Sequence, residues 1–332
     1  METTVAIAMR LDLLVCPGCR ALHGDRLDVR GLELRGELLV CDCGRRYPII
    51  DGVPIVLADA GMYLRAEMAT VVERELSPAV AEVLIEDGPD DTPYARLLEH
   101  LSIYLDAHWG DHATPPPEPG FALGPILERI AERPYVGVAV ELGCSVGRVL
   151  AHAEAEHVIG IEMHAGALRR ARRILAGDRV EYGRRMIGRH YDAATIHAGS
   201  LAMPDARYTL ICGDVLDPPL LPDVAERVIA LNMLDSVAEP RTLLAVIDGL
   251  CVAGGEIILA SPYQWQSSVM TDHARLAGRD PAATLVEILR EGRGLSRPYS
   301  VEDEAEIVWT LRRDARSSVT YRTHYVRARK GT

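Results

Sequence analysis

From residue 136 onward, short apolar runs alternate with stretches of helical spacing. The runs are VGVAVEL (136–142), HVIGIEM (157–163), YTLICGD (208–214), RVIALNML (227–234) and GEIILASP (255–262). Their length and β-branched content predict strands, and their alternation with helical segments predicts an α/β fold with a doubly wound parallel sheet. Two later runs, EIVWTLRRDAR (306–316) and SVTYRTHYVRAR (318–329), read as a closing pair of strands. Upstream, residues 61–108 carry helical spacing, and the proline-rich GDHATPPPEPG (110–120) breaks it. The pattern predicts three parts: a small unit over 1–60, a helical linker or cap over 61–120, and the α/β domain over 121–332.

Four of the seven cysteines fall within the first 43 residues, as CPGC (16–19) and CDC (41–43). Two close pairs can offer four thiolates, Cys16, Cys19, Cys41 and Cys43, to a structural zinc ion. A small segment with few large apolar side chains gains folding energy from such an ion. Two disulfides are the rival reading, but adjacent C-x-C pairs make strained bridges, and a reducing compartment keeps thiols free. The following GRRYPIIDGVPIVL (44–57) predicts two strands joined by an Asp-Gly turn. Cys16-Pro17, Cys19, Cys41, Cys43, Tyr47-Pro48-Ile49 and Asp51-Gly52-Val53-Pro54 together resemble the Trm112-like zinc-ribbon family over about residues 10–58. That resemblance implies a partner that stabilises a methyltransferase. The expectation is that it docks on the second half of the chain.

The first α/β strand ends in Glu141-Leu-Gly143-Cys-Ser145-Val-Gly147, which reads as a sharp glycine turn and the start of a helix. Glu162 ends the second strand, where a carboxylate can hold a ribose diol, and Asp214 ends the third, where an acid suits an adenine amine. A dinucleotide would want a further glycine and a free helix N-terminus for its pyrophosphate. Ser145 stands at that position and Glu141 would repel the phosphates, whereas an acid suits the cationic amino-acid end of S-adenosylmethionine. Glu141, Gly143, Ser145, Gly147, Glu162 and Asp214 therefore form the expected cofactor set, joined by Asn232 past the fourth strand. These residues, the Gly254-Gly255 turn and the closing antiparallel pair resemble the class I methyltransferase family over about residues 121–330. LGCSVGR, ALNMLDSVAEPRTLL, AGGEIILASPYQW and WTLRRDAR are similar to the methyltransferase domain of ovothiol-pathway enzymes, which implies a ring nitrogen as acceptor.

Candidate catalytic residues lie just past the strand ends: Asn232 and Asp235 after the fourth strand, and Tyr263 after the fifth, with Trp265 beside it. Asp235 reads either as a base or as a cap on the next helix. Tyr94, Tyr104, His108, Trp109 and His112 read more readily as helix packing than as pocket walls. Tyr182, Arg184 and Arg185 sit in the segment 178–207, read as a lid, a carboxylate-recognition element or a surface loop. Arg169, Arg170, Arg172 and Arg173 read as a solvated helix face.

Composition then narrows the partners. With 332 residues, 48% hydrophobic, 25% charged and net charge −12, the chain is of ordinary globular make-up, and its acidity argues against nucleic acid. No apolar run reaches the ~18 residues of a membrane span, and Arg10 and Asp12 interrupt the N-terminal apolar residues, so a cytoplasmic protein without a signal peptide is expected. The expected function is methyl transfer from S-adenosylmethionine to a small-molecule acceptor, a heteroaromatic or amino-acid-derived nitrogen, with zinc as a structural ion. A tRNA or protein methyltransferase and a non-catalytic S-adenosylmethionine-binding partner are the alternatives. The oligomeric state is left open, with a dimer as one option.

Overall fold

The computed structural model describes residues 9–23, 26–85, 93–118, 122–276 and 278–332. Its centre is a seven-stranded sheet built from β1 (Val136–Leu142), β2 (Ala155–Glu162), β3 (Tyr208–Cys212), β4 (Ala225–Leu231), β5 (Cys251–Ser261), β6 (Tyr299–Arg312) and β7 (Ser318–Lys330). The order is β3-β2-β1-β4-β5-β7-β6. The first five strands are parallel, while β7 runs antiparallel between β5 and β6. Every residue of β3 and the last four of β1 are buried, because chain covers both faces of the parallel part. Helix α1 (Pro93–Trp109) packs on β6, α3 (Ala165–Leu175) on β2 and β3, and α4 (Pro240–Leu250) on β4 and β5. Helix α2 (Gly124–Ala131) precedes β1, and α5 (Pro281–Glu291) packs on β6.

The expected helix after the glycine turn is not there. Only twelve residues separate the end of β1 from the start of β2, and they form turns and a single 3-10 turn at Leu150–His152. The chain crosses to β2 without an α-helix.

The segment 178–207 is not a loose loop. It folds into an antiparallel hairpin, Arg179–Ile187 with His190–His197, whose second strand also pairs with Ala113–Thr114. Arg184 is buried in that hairpin and is committed to Asp106 of α1: its Nε donates to Oδ1 at 2.9 Å, and Tyr182 Oη donates to the same oxygen. It has no guanidinium to spare for a ligand carboxylate. The arginine cluster of α3 is likewise corrected. Arg170 is buried and pairs with Glu73, and Arg173 Nη1 reaches Glu75 at 3.1 Å. Arg170 and Arg173 staple the linker to α3, and Arg170 does not face solvent.

At the N-terminus, Glu33–Arg35, Leu38–Val40, Arg46–Ile50 and Val53–Pro54 form a four-stranded antiparallel sheet. Asp51 and Gly52 both have positive φ, 51° and 76°, as a tight two-residue hairpin turn requires. The chain then continues along the edge of the central sheet: Ile55 bridges Cys212 in parallel, and Val56 N donates to Cys212 O at 2.9 Å. Among the described residues no helix is long and apolar enough to cross a membrane.

Candidate cofactor and acceptor site

Sheet order reverses between β1 and β4, and a crevice opens there past the carboxyl ends of the strands. A cavity of about 510 Å³ occupies it. Its walls include Glu141, Gly143, Ser145, Glu162, Asp214 and Asn232.

Glu141 is 2% exposed, and its Oε2 has no hydrogen-bond partner. Burial, and then the Glu162 carboxylate, push its carboxyl well above the usual range. A lone buried acid is costly unless a cation comes to meet it. Gly143 has φ 79°, and a Cβ there would lie 2.2 Å from Met233 Sδ, so the position admits only glycine. Ser145 adopts φ 47°, and its N–H donates to Glu162 Oε2 at 3.1 Å. Glu162 Oε1 accepts from the N–H groups of Met163 at 2.8 Å and His164 at 3.0 Å, so this carboxylate shapes both the turn and the β2 end. Burial raises its pKa against those hydrogen bonds. Asp214 Oδ1 accepts from Leu216 N at 2.8 Å, which fixes the loop after β3. Asn232, at φ 56°, leaves its Oδ1 buried and unpartnered. Gly147 does not line the cavity. It lets the turn pack on α3, where a Cβ would meet Ala171 Cβ at 2.9 Å.

The catalytic candidates are placed differently. Asp235 is 3% exposed and absent from the cavity wall. Its Oδ1 accepts from Ser261 Oγ at 3.1 Å and its Oδ2 from Gln264 N at 2.9 Å, so it ties the loop after β4 to the loop after β5. It caps no helix, since α4 begins at Pro240 with Glu239 before it. Tyr263, at φ 52°, also lies off the cavity wall. Its hydroxyl meets His324 Nδ1 at 2.8 Å, and His324 Nε2 meets Glu304 Oε1 at 3.2 Å.

Three wall residues were not legible as such. Tyr104 and His108, read as packing, line the cavity from α1, and Trp309 lines it from β6. Their four-residue spacing puts Tyr104 and His108 on one helix face, which was the available signal. Trp109, in contrast, does fasten structure: its indole N–H donates to Val146 O at 2.8 Å. The side chain of Tyr94 lies outside the described residues.

The sulfur atoms of Cys16, Cys19, Cys41 and Cys43 all lie within 4.8 Å of one another. Cys16–Cys43 and Cys19–Cys41 are 3.9 and 3.7 Å apart. Tetrahedral thiolates on a zinc ion, at ~2.3 Å each, would sit ~3.8 Å apart, so the cluster can hold a metal ion. A second cavity of about 720 Å³, lined by Leu57, Asp59, Met62 and Tyr63, shares Glu162, Met163, His164 and Asp214 with the first. The segment after the cysteine unit thus walls the outer side of the β2 and β3 ends.

No family model matches the chain, and no curated protein matches it. Among solved structures, a complex between the Haloferax volcanii Trm112 methyltransferase activator and a methyltransferase is similar at 14% identity and TM-score 0.43, covering 71% of this chain and 98% of that one. An S-adenosylmethionine dependent methyltransferase from Mesorhizobium loti is similar at 17% identity and TM-score 0.41, covering 64% and 99%. Magnesium protoporphyrin IX methyltransferase from Synechocystis, with bound SAM, is similar at 16% identity and TM-score 0.38, covering 62% and 76%. The order β3-β2-β1-β4-β5-β7-β6, with β7 antiparallel and the crevice between β1 and β4, is in itself the class I methyltransferase fold.

Proposed function

We propose that this chain is an S-adenosylmethionine-dependent methyltransferase acting on a small-molecule acceptor nitrogen. The observation that carries the reading is Glu141: a buried, unpartnered carboxyl in the wall of the crevice, whose ionised form a cationic amino-acid ligand stabilises and a diphosphate disfavours. No α-helix follows the glycine turn directly to receive a diphosphate, which favours the same choice. Glu141 and Asn232 would hold the amino-acid end, Gly143 and Ser145 would let the backbone approach, Glu162 would accept from the ribose, and Asp214 would meet the adenine. Gly147 would serve this set by seating the turn. When bound, that group supplies an electrophilic methyl carbon whose C–S bond breaks as an acceptor lone pair bonds to it. The protein's own part is alignment and exclusion of water. Asp235 and Tyr263 would act as positioning residues that hold the loops after β4 and β5.

We assign zinc to the four thiolates, with the three parts of the chain at 1–60, 61–120 and 121–332. The cysteine unit would support the cofactor half in cis, as its Trm112-like resemblance suggests. A cytoplasmic location, where thiols stay reduced, suits it. Calorimetry with S-adenosylhomocysteine and with NAD tests the reading: micromolar binding of the first and none of the second is expected. Tight NAD binding without the first would end it.

A further inference from the structure

The cavity wall combines two kinds of chemistry. Acidic groups gather where Glu141, Glu162 and Asp214 converge. The same cavity is also lined by Tyr104 and His108 from α1, Leu123, and Trp309 and Leu311 from β6. Trp309 is 3% exposed, and its indole N–H has no partner. His108 is 6% exposed, with Nδ1 unpartnered. Burial, and then the Arg148 guanidinium, push its imidazole down to about 3, so it stays neutral. A buried donor left without an acceptor is rare in a folded chain unless a ligand completes it.

Charge is just as informative. No lysine or arginine is among the described residues lining the cavity. Arginines carried by the neighbouring elements are committed elsewhere: Arg184 and Arg312 to Asp106, and Arg148 to Asp111 at 2.7 Å. An acceptor bearing a carboxylate or phosphate would lose its hydration here and find no countercharge.

Building on the methyltransferase reading, we propose that the aromatic and apolar part of this wall is a subsite for an uncharged, planar heteroaromatic acceptor. Its ring lies among Tyr104, Leu123 and Leu311, and a ring nitrogen or carbonyl oxygen accepts from the Trp309 indole N–H. This sets aside the amino-acid zwitterion as acceptor.

Fluorescence and saturation-transfer NMR on the full chain, with S-adenosylhomocysteine at saturation, test the subsite. The probes are quinoline, anionic quinoline-4-carboxylate, cationic N-methylquinolinium, and indole, which has no acceptor nitrogen. Quinoline should bind about tenfold more tightly than either charged probe and roughly fivefold more tightly than indole. Trp309→Phe should weaken quinoline by roughly fivefold, and by more than it weakens S-adenosylhomocysteine. Tighter binding of the carboxylate, no preference over indole, or no quinoline binding overturns the proposal. The indole comparison stands even if the variant fails to fold. If S-adenosylhomocysteine itself does not bind, the cofactor reading fails, and the same series on the unloaded protein still decides the subsite.

Discussion

Arg20, the residue after Cys19, donates to the Asp217 carboxylate and to Pro218 O in the loop that follows Asp214. Leu14 bridges Leu220 on the same loop, and Tyr63 Oη donates to Met163 O at 2.6 Å on the loop that follows Glu162. The loops after β2 and β3 are thus both held by chain from the first 63 residues. Stripping the metal should therefore loosen the cofactor site, weakening S-adenosylhomocysteine by about tenfold, and Arg20→Ala should do so by a few-fold, about 1 kcal/mol. Calorimetry beside metal analysis of Cys16→Ser checks this. Unchanged affinity in a metal-free protein would refute it.

Glu141→Gln should separate stability from binding. The folded-state pKa of Glu141 is raised, so its contribution to stability is present below the unfolded pKa and lost as pH rises through the folded value. Above the unfolded pKa the buried carboxyl is a burden on the apo protein. The amide removes that burden and should stabilise the apo chain by about 1–3 kcal/mol while weakening S-adenosylhomocysteine by about tenfold or more. Thermal melts with and without ligand, from pH 5 to 8, read both effects.

Asp106 is 1% exposed and accepts from Tyr182, Arg184 and Arg312, joining α1, the hairpin and β6. Those elements carry Tyr104, His108 and Trp309. Asp106→Asn should cost about 3–5 kcal/mol of stability, since it leaves two buried guanidinium groups short of charge. It should also impair acceptor use more than cofactor binding, which steady-state kinetics and calorimetry compare directly.

Asp235→Asn distinguishes a base from a brace. Loss of a base costs ~10²–10⁴ in rate and removes its limb of the pH profile. With both oxygens engaged by Ser261 and Gln264, the expected change is about tenfold or less with the profile kept.

Away from the site, Arg227 on β4 is fully buried and binds Glu256 Oε1 through Nη2 at 2.6 Å, and it also donates to Ala153 O and Pro134 O. Glu256→Gln should cost about 3–5 kcal/mol in denaturant unfolding, because it strands a buried charge.

The five parallel strands were legible because each is a compact β-branched run, and the acids at their ends stand out against that apolarity. The cysteine spacing was equally plain. What sequence could not convey is encounter. Tyr104 and Trp309 meet in one cavity from positions about 200 apart, and Arg170 finds Glu73 through packing that no local pattern records. The hairpin at 179–197 was disguised by its many charges, although Gly188 between two runs was a turn signal.

The latch between Trp109 and Val146 joins the end of α1 to the glycine turn. On the proposed reading, a ligand seated against α1 would steady that turn for a ligand seated there. Thermodynamic reciprocity then requires that whatever factor S-adenosylhomocysteine adds to acceptor affinity, the acceptor returns to S-adenosylhomocysteine.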